Sequence, residues 1–88
     1  MDAYRVDFTQ RAYRQFAKVP PEIKRRLAPH LDGLTVEPRP AHAKRLAAGE
    51  ELYRIRVGSY RIVYAVEDAA VLVLVVRVGH RRDVYRGL

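Results

Sequence analysis

The chain has 88 residues, of which 49% are hydrophobic and 31% are charged. This length and composition suit one small globular domain, residues 1–88, and argue against disorder. Because there is no cysteine, a disulfide framework, a thiolate metal site and a cysteine nucleophile are excluded. The net charge of +7 favours an anionic partner, either nucleic acid or protein, although a merely solvated basic surface would account for it equally well.

Neither the N-terminal residues nor the longest apolar run suggests a membrane protein. The N-terminal residues, Met1–Tyr4, lack the basic and apolar regions of a signal peptide. The longest apolar run, residues 69–76, is far shorter than the roughly 20 residues that cross a bilayer. We expect a cytoplasmic protein with no membrane partner.

The first half of the chain predicts a strand followed by two helices. Residues 4–8 alternate between apolar and polar, as in a half-buried strand, and Thr9 is a suitable N-cap for the helix that Pro20 ends. Pro21 suits the first turn of a second helix. Pro29 predicts a kink or break in that helix near residues 25–27. Its apolar stripe consists of Ile23, Leu27, Leu31 and Leu34.

The second half predicts a three-stranded meander. Residues 35–51, which include Pro38, Pro40 and Gly49, read as a loop with a short extended piece at 44–46. Strands follow at 52–57, 60–66 and 71–78, and Gly58-Ser59 provides a two-residue hairpin turn. The order β-α-α-β-β-β predicts an α+β fold: a small, mainly antiparallel four-stranded sheet with the helical hairpin packed on one face.

The hairpin turn fixes which side chains share a face. It pairs Arg56 with Arg61, and alternation then places Arg54 on the same side, away from the helices. Like charges directly opposite each other are destabilising, so we expect these arginines to serve function, at some cost in stability. The alternative is that the three side chains merely splay into solvent. A phosphate site is the better interpretation, because guanidinium groups bind phosphate oxygens through paired donors.

A histidine, His80, follows the last predicted strand. If Val66 pairs with Val71, even-numbered residues of that strand share the arginine side, which places His80 there and Arg77 over the end of the core. A bulge at Gly79 would reverse the direction of His80. His30 and His42 have no comparable neighbours and receive no role.

These patterns together resemble the RelE branch of the RelE/ParE toxin superfamily. The resemblance lies in residues 52–64, in the Gly-His-Arg and Val-Tyr of residues 78–85, and in the Lys44-Arg45-Leu46 segment, and it extends over essentially the whole chain. It implies a toxin of a type II toxin–antitoxin system that cleaves messenger RNA on the ribosome without a metal or other cofactor. The superfamily alternative is a ParE-like toxin that inhibits DNA gyrase without chemistry of its own, and a basic binding module of unrelated function is a third.

The resemblance also assigns residues. Arg54, Arg56, Arg61, Arg81 and Tyr85 would surround the scissile phosphate, with Tyr85 stacking on a base. His80 would serve as acid or base, as a histidine does in some related toxins. The residues implied to bind substrate are Arg54, Arg56, Lys44 and Arg45. Well-known members carry lysine at the first two of these positions, and arginine does not readily lose a proton, which argues against either as general base.

The expected partners are the ribosome with its mRNA and a small acidic antitoxin from the same operon. Operator DNA would be reached only through the antitoxin. Between the arginines, the same side of the sheet carries apolar residues that nothing in the predicted fold covers, since little chain remains after Tyr85, and such a patch is typical of an interface. These residues are Leu52, Val63, Ala65, Leu72, Leu74 and Val76.

Overall fold

A computed structural model describes residues 3–46 and 51–87. The elements, in chain order, are β1 Arg5–Phe8, α1 Gln10–Ala17, α2 Pro21–Gly33, β2 Lys44–Arg45, β3 Leu52–Val57, β4 Tyr60–Glu67, a 3-10 turn Asp68–Ala70 and β5 Leu72–His80. They confirm the predicted α+β class and element order. Part of the predicted loop, residues 47–50 with Gly49, lies outside the described residues, as do residues 1, 2 and 88.

The sheet has five strands in the order β1-β5-β4-β3-β2, not the four that we predicted. The additional strand, β2, is only two residues long and pairs with β3. Two residues are too few to produce a detectable alternation, so the sequence indicated only a short extended piece there. β1 is parallel to β5 and every other pairing is antiparallel.

Both helices pack on one face of the sheet. Thr9 caps α1 as predicted, because its hydroxyl accepts a hydrogen bond from Ala12 N at 3.1 Å. The main core lies between the helices and this face, and includes Leu27 and Leu31 of α2 and Leu34, which directly follows that helix. The predicted break near residues 25–27 is wrong, since α2 runs uninterrupted from Pro21 to Gly33 with Pro29 inside it, and the alternative of a kink there stays a prediction. Packing of the leucine stripe against the sheet offsets the hydrogen bond that proline cannot make.

The pairing of β4 with β5 differs from the prediction. Glu67 pairs with Leu72, whereas we expected Val66 to pair with Val71, and the register shifts between Val63 and Tyr64. Val63 pairs with Arg77 and Tyr64 with Val75, so Val76 is the extra residue of a β-bulge. As a result, each residue that follows the bulge in β5 points to the opposite side of the sheet from the side that we predicted for it.

No helix within residues 3–46 and 51–87 is long and apolar enough to cross a bilayer.

Candidate functional site

The β3–β4 hairpin has the predicted register. Arg56 pairs with Arg61 and Arg54 pairs with Val63 across the two strands, around a turn in which Gly58 adopts a φ of 61°. Ile55, which alternates with these arginines, lies in the core under the helices. The arginines therefore lie on the opposite side of the sheet, which we call the arginine face.

Arg61 is far less exposed than we expected. Only 8% of its surface is accessible, and its Nη1 donates hydrogen bonds of 2.9 Å to Gly58 O and to Tyr60 O. Arg61 thus holds the hairpin turn, which corrects the expectation that it would only cost stability.

Arg26 is a second cation at the turn, and no pattern in the sequence singled it out. A Cβ atom added to Gly58 would lie 2.8 Å from Arg26 Nη2, so the guanidinium lies directly over the turn. Arg26 belongs to α2 and adjoins the buried Leu27. Only the docking of α2 on the sheet brings it here, and no local pattern could have indicated it.

The two basic residues of β2 lie on opposite sides of the sheet. Lys44 pairs with Arg54 and so shares the arginine face. Arg45 pairs with Tyr53, which packs against the main core, and its Nη2 lies 3.4 Å from Glu51 Oε1. The structure therefore joins Lys44 to the predicted substrate-binding residues and places Arg45 on the other side of the strand.

His80 does not share the arginine face, because the bulge at Val76 reverses its direction. It pairs with Tyr60, whose ring meets the imidazole edge-on with centroids 5.7 Å apart. The preceding residue, Gly79, pairs with Arg61. His80 therefore remains at the same end of the sheet as Arg61, but it lies at the rim on the helix side.

The imidazole of His80 has a defined hydrogen-bond state. Its Nδ1 accepts a hydrogen bond from Arg82 N at 3.2 Å. Nδ1 carries no proton in that arrangement, so the proton of the neutral ring lies on Nε2. The ring therefore presents a donor, not an acceptor, to its surroundings.

The turn that follows β5, residues 81–87, which we call the C-terminal turn, covers part of the arginine face. Its start is tied to the hairpin, since Arg81 N donates to Ser59 O at 2.7 Å. Val84 is buried, with 1% of its surface accessible, in a second cluster with Leu52 and Val63. These two sheet residues are therefore not open as predicted, whereas Leu72, Leu74, Val76 and Ala65 remain half-buried.

The same turn carries the remaining predicted residues. Arg81 is exposed, and Tyr85 is 38% exposed. The bulge turns Arg77 onto the arginine face, paired with Val63, and not over the end of the core as we predicted. Arg77 is 9% exposed, with Nη2 3.4 Å from Gly87 O and Nε buried without a partner among the described residues.

A cluster of hydrogen-bonded polar side chains lies at the end of the sheet opposite the β3–β4 hairpin turn. Its members are Tyr4, Arg39, Tyr53 and Asp68. Arg39 donates to both oxygens of Asp68, at 3.1 and 2.9 Å, and from Nε to the Tyr53 hydroxyl at 2.9 Å. Tyr4 donates to Asp68 Oδ1 at 2.7 Å. The hydrogen bonds from Arg39, followed by that from Tyr4, hold the pKa of Asp68 below its ordinary value. Burial raises the pKa of Tyr64, whose hydroxyl donates to Pro38 O at 2.8 Å.

Comparison with known proteins identifies the family. Residues 6–85 match the family described as the ParE toxin of type II toxin–antitoxin systems, parDE. The chain is 36% identical to toxin RelG of Mycobacterium tuberculosis over 91 residues, covering 94% of this chain and 97% of that protein. It belongs to the RelE/ParE family of type II toxins.

Relatives within the family include RelE toxins. The chain is 35% identical to the mRNA interferase toxin RelE of Escherichia coli, covering 90% of this chain and 84% of that protein. The fold matches the toxin–antitoxin complex RelBE2 from M. tuberculosis with a TM-score of 0.80 at 34% identity, over 94% of this chain and 97% of that one. It matches the intact E. coli RelBE complex equally well, with a TM-score of 0.80 at 34% identity, over 89% and 96% of the two chains. The resemblance found in the sequence is therefore confirmed.

Proposed function

We propose that this toxin is a ribosome-dependent mRNA endonuclease that acts in the cytoplasm. The observation that carries the proposal is the state of Arg61, whose guanidinium two carbonyl groups fix at the hairpin, directly opposite Arg56. Donors that are held in place before the substrate arrives stabilise developing charge most effectively. The E. coli relative named as an mRNA interferase supports the same reading.

The chemistry needs charge stabilisation and proton transfer. The 2′-hydroxyl oxygen attacks the adjacent phosphorus and loses its proton to a base, and the bond to the 5′-oxygen breaks as that oxygen takes a proton from an acid. The products are a 2′,3′-cyclic phosphate and a 5′-hydroxyl, so atoms and charges balance without an external reactant. Arg61, Arg56 and Arg54 would stabilise the phosphorane, Arg81 would neutralise the leaving oxygen and Tyr85 would stack on a base.

His80 is the proposed proton-transferring group. To take the 2′-hydroxyl proton at Nε2, the ring must move its own proton to Nδ1, which breaks the hydrogen bond from Arg82 N. Protonation of Nδ1 has the same consequence. Proton transfer by His80 therefore requires the hydrogen bond from Arg82 N to Nδ1 to open when substrate binds, whereas donation from Nε2 to a phosphate oxygen requires no change.

The proposed partner of the free toxin is a small acidic antitoxin encoded in the same operon. Two structural relatives are toxin–antitoxin complexes, and the half-buried Leu72, Leu74 and Val76 give an antitoxin an apolar surface beside the arginine face. Basic side chains next to an apolar strip favour an acidic, amphipathic segment. Operator DNA would be bound only through the antitoxin.

A reconstituted translation reaction tests the activity directly. The purified toxin is added to programmed ribosomes, and primer extension maps the mRNA ends. We expect cuts that require both the ribosome and the toxin, and none with Arg56→Ala/Arg61→Ala. Intact mRNA with a folded wild-type toxin would reject the nuclease and favour gyrase inhibition, to which the ParE description of the matched family points. A supercoiling assay with DNA gyrase is the complementary measurement.

A further inference from the structure

A cleft of about 320 Å³ lies beside β5, between the end of α1 and the C-terminal turn. β1 pairs only with Leu72–Val75, so within the described part of the chain the outer edge of residues 76–80 has no neighbouring strand. Gln15 of α1 takes that place, since its Oε1 accepts a hydrogen bond from Val78 N at 2.9 Å. The helix end is thereby fixed at the strand edge, and the cleft opens next to it.

The lining combines an apolar floor with a polar rim. Val19, Val78 and Val84 line the cleft and are each nearly inaccessible to solvent. Lys18, Tyr60 and His80 stand at the rim. No carboxylate of the described residues lies within ion-pair distance of the Lys18 ammonium. Asp83 also lines the cleft, and its carboxylate lies 3.5 Å from Arg86 Nη2.

We infer that this cleft binds one nucleotide of the RNA, the one that flanks the cleaved phosphate. The inference rests on the proposed function. The volume lies at the lower end of the range for small-molecule sites, roughly 300–1,000 Å³. The base stacks on the Tyr60 ring, and the 5′-phosphate meets Lys18. The Gln15 amide nitrogen supplies a donor to an acceptor atom on the edge of the base.

The position of the cleft supports a nucleotide next to the cleaved phosphate. Gly79 lines the cleft and is also the residue paired with Arg61, so the strand end separates the cleft from the proposed phosphate site by a single residue. The neighbouring side chains of Arg81 and Arg82 are exposed, and they add cations around the rim. An aromatic side chain of a protein partner would fit the apolar floor, but it would leave the Lys18 ammonium without an anion.

Titration of the isotope-labelled toxin, without ribosomes, tests the site. Cytidine and adenosine 5′-monophosphates are added and followed by NMR through the Gln15 side-chain amide and the backbone amides of Lys18, Gly79 and His80. Ribose 5-phosphate tests whether the base is needed, and N-acetyltyrosinamide stands for a protein side chain. We expect saturable shifts at these four residues with the nucleotides, and much weaker ones with ribose 5-phosphate.

Three variants locate the binding. Tyr60→Leu keeps an apolar side chain toward the core but removes the stacking ring, and should weaken nucleotide binding about fivefold or more. Lys18→Gln should weaken it several-fold. Arg25→Gln removes one positive charge from an exposed position of α2 outside the cleft and should leave binding unchanged.

The outcomes separate this inference from the proposed activity. Absence of shifts, shifts only with N-acetyltyrosinamide, or an equal loss in Arg25→Gln would overturn the nucleotide site even if the toxin cuts mRNA. Nucleotide binding in the cleft by a toxin that leaves ribosome-bound mRNA intact would instead overturn the nuclease and retain the site.

Discussion

Arg56 and Arg61 face each other across the β3–β4 hairpin but differ in exposure. Arg56 is exposed, whereas Arg61 is buried and holds two backbone carbonyl groups. Like charges in a cross-strand pair cost a few tenths to about 1 kcal/mol. Hydrogen bonds from a charged donor contribute more than this when their acceptors would otherwise lose a partner. The two residues should therefore respond oppositely to the same truncation.

We predict that Arg61→Ala lowers the free energy of unfolding by about 1–3 kcal/mol, because the carbonyls of the turn lose their donor. Arg56→Ala, the matched control, should leave it unchanged or raise it slightly, since only repulsion is removed. Urea denaturation of both variants measures this. An Arg61→Ala protein as stable as the wild type would show that the two hydrogen bonds contribute nothing to the fold.

His80 is the residue that we propose transfers a proton. His80→Gln retains a hydrogen-bonding side chain but cannot transfer a proton, so single-turnover cleavage on the ribosome should fall by about 10²–10⁴. His42→Gln, in which the ring that contacts His30 is replaced, should cleave like the wild type. Near-normal cleavage by His80→Gln would mean that proton transfer comes from the ribosome or water, with the toxin supplying charge and orientation.

The hydrogen bonds from Arg39, in the loop after α2, to Asp68, in the turn between β4 and β5, should make the free energy of unfolding depend on pH. The pKa of Asp68 is lower in the folded protein than in the unfolded chain. Its stabilisation is therefore complete above the unfolded value, near 4, and is lost as the pH falls through the lower folded value. The affected window is acidic, below about pH 4.

Asp68→Asn should accordingly lower the melting temperature at neutral pH, and the difference from the wild type should disappear as the pH falls through that window. Asp32→Asn, which changes an exposed carboxylate with no ion pair among the described residues, should have little effect. Cleavage by folded Asp68→Asn should be normal, because Asp68 and the hairpin lie at opposite ends of β4. A pH-independent difference would contradict the shifted pKa.

The C-terminal turn is held to the sheet by one buried side chain. We predict that Val84→Ala lowers the free energy of unfolding by about 1–2 kcal/mol, since it leaves a cavity against Leu52 and Val63. Cleavage should fall as well, because Arg81 and Tyr85 lose their fixed positions. Val36→Ala is the matched control, as Val36 is 74% exposed. Thermal unfolding and ribosome-dependent cleavage, measured together, test both parts.

For the whole molecule, the charge of +7 should make RNA binding depend steeply on salt. Contacts to about three to five phosphates predict a slope of log K against log salt of roughly −2 to −4 for a single strand. Fluorescence anisotropy with a non-cleavable, 2′-deoxy-substituted oligonucleotide measures it, and Arg54→Ala/Arg56→Ala should reduce its magnitude. Binding that does not change between low and high salt would contradict phosphate recognition.

Much of the fold could be predicted because its signals are local. Thr9 and Pro21 mark helix starts through hydrogen bonds and backbone angles within one turn of the chain. Gly58-Ser59 fixes the β3–β4 register, since a two-residue turn allows only one pairing of its flanking strands. The facing arginines follow from that register alone.

The α+β order, the hairpin and the arginine pair could therefore be predicted from the amino-acid sequence. The burial of Arg61, the position of Arg26 over the turn and the orientation of His80 toward the helices became evident only in the folded protein. Each of these depends on how separate elements meet: α2 on the sheet, and β5 fitted between the parallel β1 and the antiparallel β4. The bulge at Val76 comes directly after the part of β5 that pairs with both β1 and β4, and no periodicity within one strand can specify its position.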